Sequence, residues 1–204
     1  MSKAKTIFLK RTIFLSLLTI SILCCGLQVN SPIQDLLNKP FDLQKFKKKK
    51  GQSNSGGAPK KTYYYKPNEN GFMMRFMLFP PYGGYIGKDT SYLIKYPEAI
   101  TIITFKPNGK HQDMFIDPNE TLIEIILRLN DKDLPELAFV GMDTTSIKEK
   151  LGADFFRKDN CFIYANKKAA LTLKISGKNV QWIKYTRLNF EMNASNIPTE
   201  LLIE

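Results

Sequence analysis

Few residues in this chain could carry covalent or acid–base chemistry. There is a single histidine, His111, and there are three cysteines, Cys24, Cys25 and Cys161. Nucleophilic catalysis needs a Ser or Cys beside a base. One histidine and no G-x-S-x-G turn offer no such arrangement. Cys161 precedes Phe162-Ile163-Tyr164 and reads as a small buried hydrophobe. Asp131 and Asp133 flank Lys132 in a loop, without the further ligands a metal cluster takes, and read as solvated polarity. A glycosidase-type carboxylate pair needs a defined separation, and no spacing singles one out. The expectation is a protein with no catalytic residue, no cofactor and no metal.

Aromatic residues offer binding chemistry instead. Tyr63-Tyr64-Tyr65, flanked by Lys61 and Lys66, could stack on bases or sugars; such a run also serves as a first strand or an interfacial belt. Pro80 to Gly87 is a turn-rich loop, and Tyr82, Tyr85 and Tyr92 are candidate ligand contacts in and beside it. It is not a phosphate loop, because the GxxxxGK[ST] spacing is missing.

The cysteine pair has a different context. Lys10-Arg11 precedes a 14-residue apolar run, Thr12 to Cys25. A membrane span takes about 20 residues and a signal h-region about 7–15, so length favours a processed signal over residues 1–25. The end of the run resembles a bacterial lipobox. Cys25 has Ile22, Leu23 and Cys24 before it, which puts a small side chain at −1; Cys24 would have the bulky Leu23 there. Lipidation is therefore expected at Cys25, with Cys24 second, and an uncleaved anchor or an ordinary cleaved signal remain open. Two or more acyl chains would hold the protein stably, at about 0.8 kcal/mol per buried CH₂. The expected location is the cell envelope, anchored to a membrane.

Charge agrees with that placement. The net charge is +11. Residues 1–25 carry four basic residues and no acid, residues 26–70 nine lysines against three acids, and residues 71–204 17 basic against 16 acidic residues. A nucleic-acid-binding domain would carry its excess on the folded part, so no nucleic-acid partner is expected.

These residues need elements to hold them. Residues 26–70 read as a flexible tether rich in Lys, Gly and Ser, with one or two helical turns near Pro32. Its lysine run, Lys45 to Lys50, would attract anionic lipid or act as a solvated spacer. Residues 71–190 read as an α+β domain: a small antiparallel sheet, with a C-terminal β-meander, packed with one or two helices. Strands are expected at 71–79 and 99–105, with a hairpin partner at 111–116. Asp117-Pro118-Asn119-Glu120 has the pattern of a capping box, and Leu122, Ile125, Ile126 and Leu129 recur at helical spacing, predicting a helix over 117–130. A second helix is predicted over 144–151, with Asp143 as its cap and Gly152 as its stop. Strands over 161–165, 169–175 and 180–188 complete the meander, and 191–204 is a tail that could dock through Leu201, Leu202 and Ile203.

Residues 144–188, from Thr144-Thr145-Ser146 through Leu151-Gly152 and Asp154-Phe155 to Trp182-Ile183-Lys184-Tyr185, resemble the helix–LG–strands unit of small envelope lipoproteins of the SmpA/OmlA type, with Ala153 where that unit often has Pro. The resemblance implies a non-enzymatic accessory role with a protein partner in an envelope complex. Two alternatives stay open: a ligand- or sugar-binding exported module using Tyr82, Tyr85 and Tyr92, and a hydrolase with an unmarked carboxylate pair.

Overall fold

Runs of β-branched and aromatic residues favour pleated ladders, and this chain gathers its runs into one sheet. The computed structural model describes residues 32–50, 54–58, 61–67, 70–78, 99–107 and 117–204. The chain divides into two units, Met1–Asn30 and Ser31–Glu204, and every described residue belongs to the second. The described elements are α1 (Pro32–Asn38), α2 (Leu43–Lys50), β1 (Asn54–Gly57), β2 (Gly71–Leu78), β3 (Ile100–Pro107), β4 (Thr121–Leu127), α3 (Thr144–Leu151), β5 (Phe156–Lys158), β6 (Cys161–Ala165), β7 (Ala169–Ser176) and β8 (Asn179–Arg187). The fold class is α+β, with an 8-stranded sheet in the order β1-β2-β3-β4-β8-β7-β6-β5. Every neighbouring pair is antiparallel. The sheet is two meanders, β1–β4 and β5–β8, joined where their last strands lie side by side, with Ile125 opposite Tyr185.

Both faces of the sheet are covered. Ile33, Leu36 and Leu37 of α1, Leu43 and Phe46 of α2, and Ile147 and Leu151 of α3 share one core with Phe76, Ile102, Ile125, Leu171 and Tyr185 of the sheet. Each helix contributes residues at i, i+3 or i+4, the spacing that lines one face. Against the other face lie Tyr63 and Tyr64 and the C-terminal residues Leu188, Met192, Ile197, Leu201 and Leu202, packed on Ile103, Phe105, Ile163 and Ala170. Central strands buried on both sides read as continuous apolar runs, and that explains a correction. Residues 117–130 are not a helix. Thr121–Leu127 is β4, with a bulge where Ile103 opposes Glu124 and Thr104 opposes Leu122, leaving Ile123 between them. Four of its seven residues are β-branched, which disfavours helix and suits a pleated ladder. The Asp117 side chain does bind backbone, but as a turn: its Oδ1 accepts from Asn119 N at 2.9 Å and its carbonyl from Glu120 N at 3.1 Å.

A second correction concerns the segment read as a tether. Residues 32–50 form α1 and α2, and Leu37 and Phe46 are buried in the core. Asp42 caps α2, its Oδ1 accepting from Lys45 N at 3.0 Å. The lysine run cannot be a uniformly solvated spacer. Lys47 points inward to Glu120, while Lys49 and Lys50 reach Asp133 and Asp131. The edge strand β1 also falls within that segment. The ordered unit runs past residue 190 as well, since Leu201 is fully buried and Leu202 nearly so.

The second meander follows its local signals. Asp143 Oδ1 accepts from Thr145 N and Ser146 N at 2.9 and 3.0 Å, and Gly152, at φ 92°, ends α3. Asp159 and Asn160 take φ of 47° and 58° in the tight β5–β6 turn, a conformation Asp and Asn tolerate best after Gly. At the start of β2, Gly71 is required by close approach: a Cβ there would lie 2.5 Å from the Lys106 carbonyl and inside the Phe105 ring's contact distance.

Candidate functional site

The linker between α1 and α2 creates the site. Lys39 N closes the last turn of α1 on Asp35 O at 2.9 Å, and Pro40 then prevents the helix from continuing. Phe41 turns back to meet Phe46 edge-on, with ring centroids 5.6 Å apart. The linker therefore stands off the sheet over the start of β4 and the end of β8. Between them is a cleft of about 210 Å³. Asn38, Lys39, Pro40, Phe41 and Leu43 line one side; Glu120, Thr121, Leu122, Tyr185 and Arg187 line the other. Tyr185 and Arg187 point the same way because residues two apart on a strand share a face. A second cleft, of about 230 Å³ between α1, Phe139 and α3, shares Lys39 and Pro40 with the first and is more apolar.

The electrostatics of the first cleft are set at its floor. Glu120 is buried and its carboxylate accepts from Lys47 Nζ at 2.6 Å and from Thr104 Oγ1 at 2.5 Å. The side chains of Lys47 and Glu120 are 2% and 0% exposed. Burial pulls the Lys47 ammonium below its usual range, against the opposing pull of Glu120. Lys47 also sits 3.8 Å from the centre of the Phe76 ring. At the mouth, Tyr185 donates its hydroxyl to Leu37 O at 3.1 Å, pinning α1 to β8. Arg187 lies 5.5 Å from the Tyr65 ring. Neither Arg187 nor Lys39 has an ion-pair partner among the described residues. The cleft's one acid is thus neutralised from behind, while neither of its two cations is neutralised by an acid among the described residues.

Other titratable groups are held for structural ends. Lys49 and Lys50 lie 2.9 and 3.0 Å from Asp133, and Lys50 is 2.6 Å from Asp131. The two lysines hold the Asp133 carboxyl down to about 2. The Asp131–Asp133 loop is therefore a clamp for α2, where solvated polarity was expected. On the opposite sheet face, Glu124 accepts from Thr186 Oγ1 at 3.0 Å with Lys61 at 3.9 Å. Lys184 donates to Glu200 O at 3.0 Å and to Ile203 O, and burial lowers its ammonium to about 8. A lysine so depressed can act as a nucleophile in an open site; here the C-terminal residues close over it, and it is 1% exposed. Cys161 is fully buried, with its Sγ 3.9 Å from Leu202 O, and burial pushes its thiol up.

Of the residues singled out from sequence, Cys24, Cys25, Tyr82, Tyr85, Tyr92 and His111 lie outside the described residues. In the tyrosine run, Tyr63 and Tyr64 are buried against the sheet, and only Tyr65 presents a ring outward. Among the described residues no three His, Cys, Asp or Glu side chains come together as a metal site requires, and no helix is long and apolar enough to cross a membrane. The residues that sequence reading missed are Lys39, Glu120, Tyr185 and Arg187. One local signal was present: a Pro between two apolar i, i+3, i+4 patterns marks a helix–linker–helix, the kind of corner where clefts form. Comparison of the chain with protein-family models, curated proteins and solved structures gave no match.

Proposed function

We propose that this chain is a non-enzymatic protein of the cell envelope, tethered to a membrane through acylated Cys25, whose α+β unit binds another envelope component. One observation carries the binding half of this reading. Among the described residues the buried carboxylates are each engaged by the fold's own groups, Glu120 by Lys47 and Thr104, Glu124 by Thr186 and Asp117 by the Asn119 N–H, while two cations without an ion-pair partner line an open cleft. A hydrolase turns its acids toward substrate; these acids turn toward lysine and threonine. Concave sites of mixed polarity are where small groups are held. The tethering half rests on the lipobox-like run ending at Cys25 and the basic residues before it. Resemblance of residues 144–188 to SmpA/OmlA-type envelope lipoproteins supports an accessory role with a protein partner.

The tether is tested by growing cells with a clickable fatty acid. Wild type should incorporate label and Cys25→Ser should lose it. Equal label in both moves the modification off Cys25, and no label in either removes lipidation from the proposal. Cross-linking in intact membranes followed by pull-down then reports the bound component.

A further inference from the structure

We infer that the cleft at the α1–α2 linker is an anion site that takes a phosphate group; this rests on the binding role proposed above and names its ligand class. The first ground is charge. Glu120 is the one acid among the lining residues, and Lys47 neutralises it at 2.6 Å. Lys39, which also borders the second cleft with Asp35 and Glu136, and Arg187, which lies beside the Tyr65 ring, remain; neither cation has an ion-pair partner among the described residues. Asp42, in the same linker, does not offset them, since its carboxylate is turned to the Lys45 N–H at 3.0 Å. The second ground is the disposition of donors. Lys39 stands on the linker and Arg187 with Thr121 on the sheet, so donors approach from two walls. A carboxylate is satisfied by a single guanidinium fork, whereas phosphate has oxygens to spare for an ammonium and a hydroxyl as well. The third is size. At about 210 Å³ the cleft falls below the roughly 300–1,000 Å³ of sites that engulf drug-sized ligands. It admits one charged headgroup and leaves the remainder of the ligand outside.

The same chemistry is offered by a lipid headgroup and by a soluble phosphate ester. Full-length protein in neutral detergent micelles is titrated calorimetrically with inorganic phosphate and with glycerol phosphate. Saturable binding of both is expected, weakened at least tenfold by Lys39→Gln with Arg187→Gln and unchanged by Lys48→Gln on the exposed side of α2. Backbone amide shifts of Lys39, Thr121 and Arg187 in the wild-type protein should move with phosphate, and they report on the site even where the double variant fails to fold. Doping the micelles with phosphatidylglycerol should compete with glycerol phosphate where the source is lipid, and leave it untouched where the source is soluble. Binding unaffected by the double substitution, amide shifts that stay still, or acetate binding as tightly as phosphate would overturn the assignment. Fatty-acid labelling at Cys25 is independent of this titration. A labelled protein that ignores phosphate loses the ligand class and keeps the tether; an unlabelled protein that binds phosphate does the reverse.

Discussion

Replacing Lys47 by alanine should lower the free energy of unfolding by about 3–5 kcal/mol, a large share of the 5–15 kcal/mol typical of a domain. The substitution removes the ammonium 2.6 Å from Glu120 and leaves a carboxylate of 0% side-chain exposure whose remaining side-chain hydrogen-bond partner among the described residues is Thr104. Desolvating two charges offsets most of their attraction, so the pair itself contributes little; the loss comes from stranding one member. The companion variant separates these effects. Lys47→Met with Glu120→Gln removes both charges and should recover most of the loss. Urea unfolding followed by circular dichroism measures all three proteins. A single-variant loss under 1 kcal/mol would mean that water reaches Glu120 and that α2 is not locked to the sheet by this pair.

Stability should also rise as pH increases from about 8 toward 10, which is unusual for a protein bearing paired acids. Lys184 is depressed from 10.5 to about 8 by burial. Below pH 8 both folded and unfolded chains hold its proton. Between 8 and 10.5 the unfolded chain holds it and the folded chain has shed it, so stability grows with pH. At about 1.4 kcal/mol per pKa unit the gain is at most about 3–4 kcal/mol. Lys47, lowered in the same direction, adds to it. Cys161 opposes it, because burial raises the thiol and the unfolded chain ionises first. Above pH 10 the buried phenols take over: Tyr164, pushed up to about 12, resists ionisation in the fold, so stability falls again. Subtracting the Lys184→Met profile from wild type at each pH isolates Lys184. A flat difference between pH 7 and 10 would show that this ammonium is not desolvated.

Much of the second meander was legible from residues. Asp143 and Gly152 bracket α3, and the short turns at Asn166 and Gly177 space β6, β7 and β8. These are local signals, settled by a few adjacent groups. β4 escapes local reading for a reason of the same kind: a strand buried on both faces has no alternation, and Leu122, Ile125, Ile126 and Leu129 match a helical stripe by coincidence of spacing. The lysine run looks like a spacer in the sequence because composition is local and its neutralisation is not. Lys47 meets an acid 73 residues away, and Lys49 one 84 residues away. The cleft was invisible for that reason too, since Lys39 and Arg187 come together only when β8 receives α1.

The Tyr185–Leu37 hydrogen bond spans 148 residues. Closing so long a loop costs entropy before any contact repays it, and long-range pairings slow folding. The β5–β8 meander, whose turns are short, can assemble early. The N-terminal helices have no surface to dock on until β4 and β8 have met, so the chain should order from its C-terminal half back toward its start. Pulsed hydrogen exchange during refolding, with β7 amides protected ahead of those in α1 and α2, would register that sequence of events. The cleft at the α1–α2 linker is thus a late product of folding, formed only once the C-terminal half of the sheet is complete.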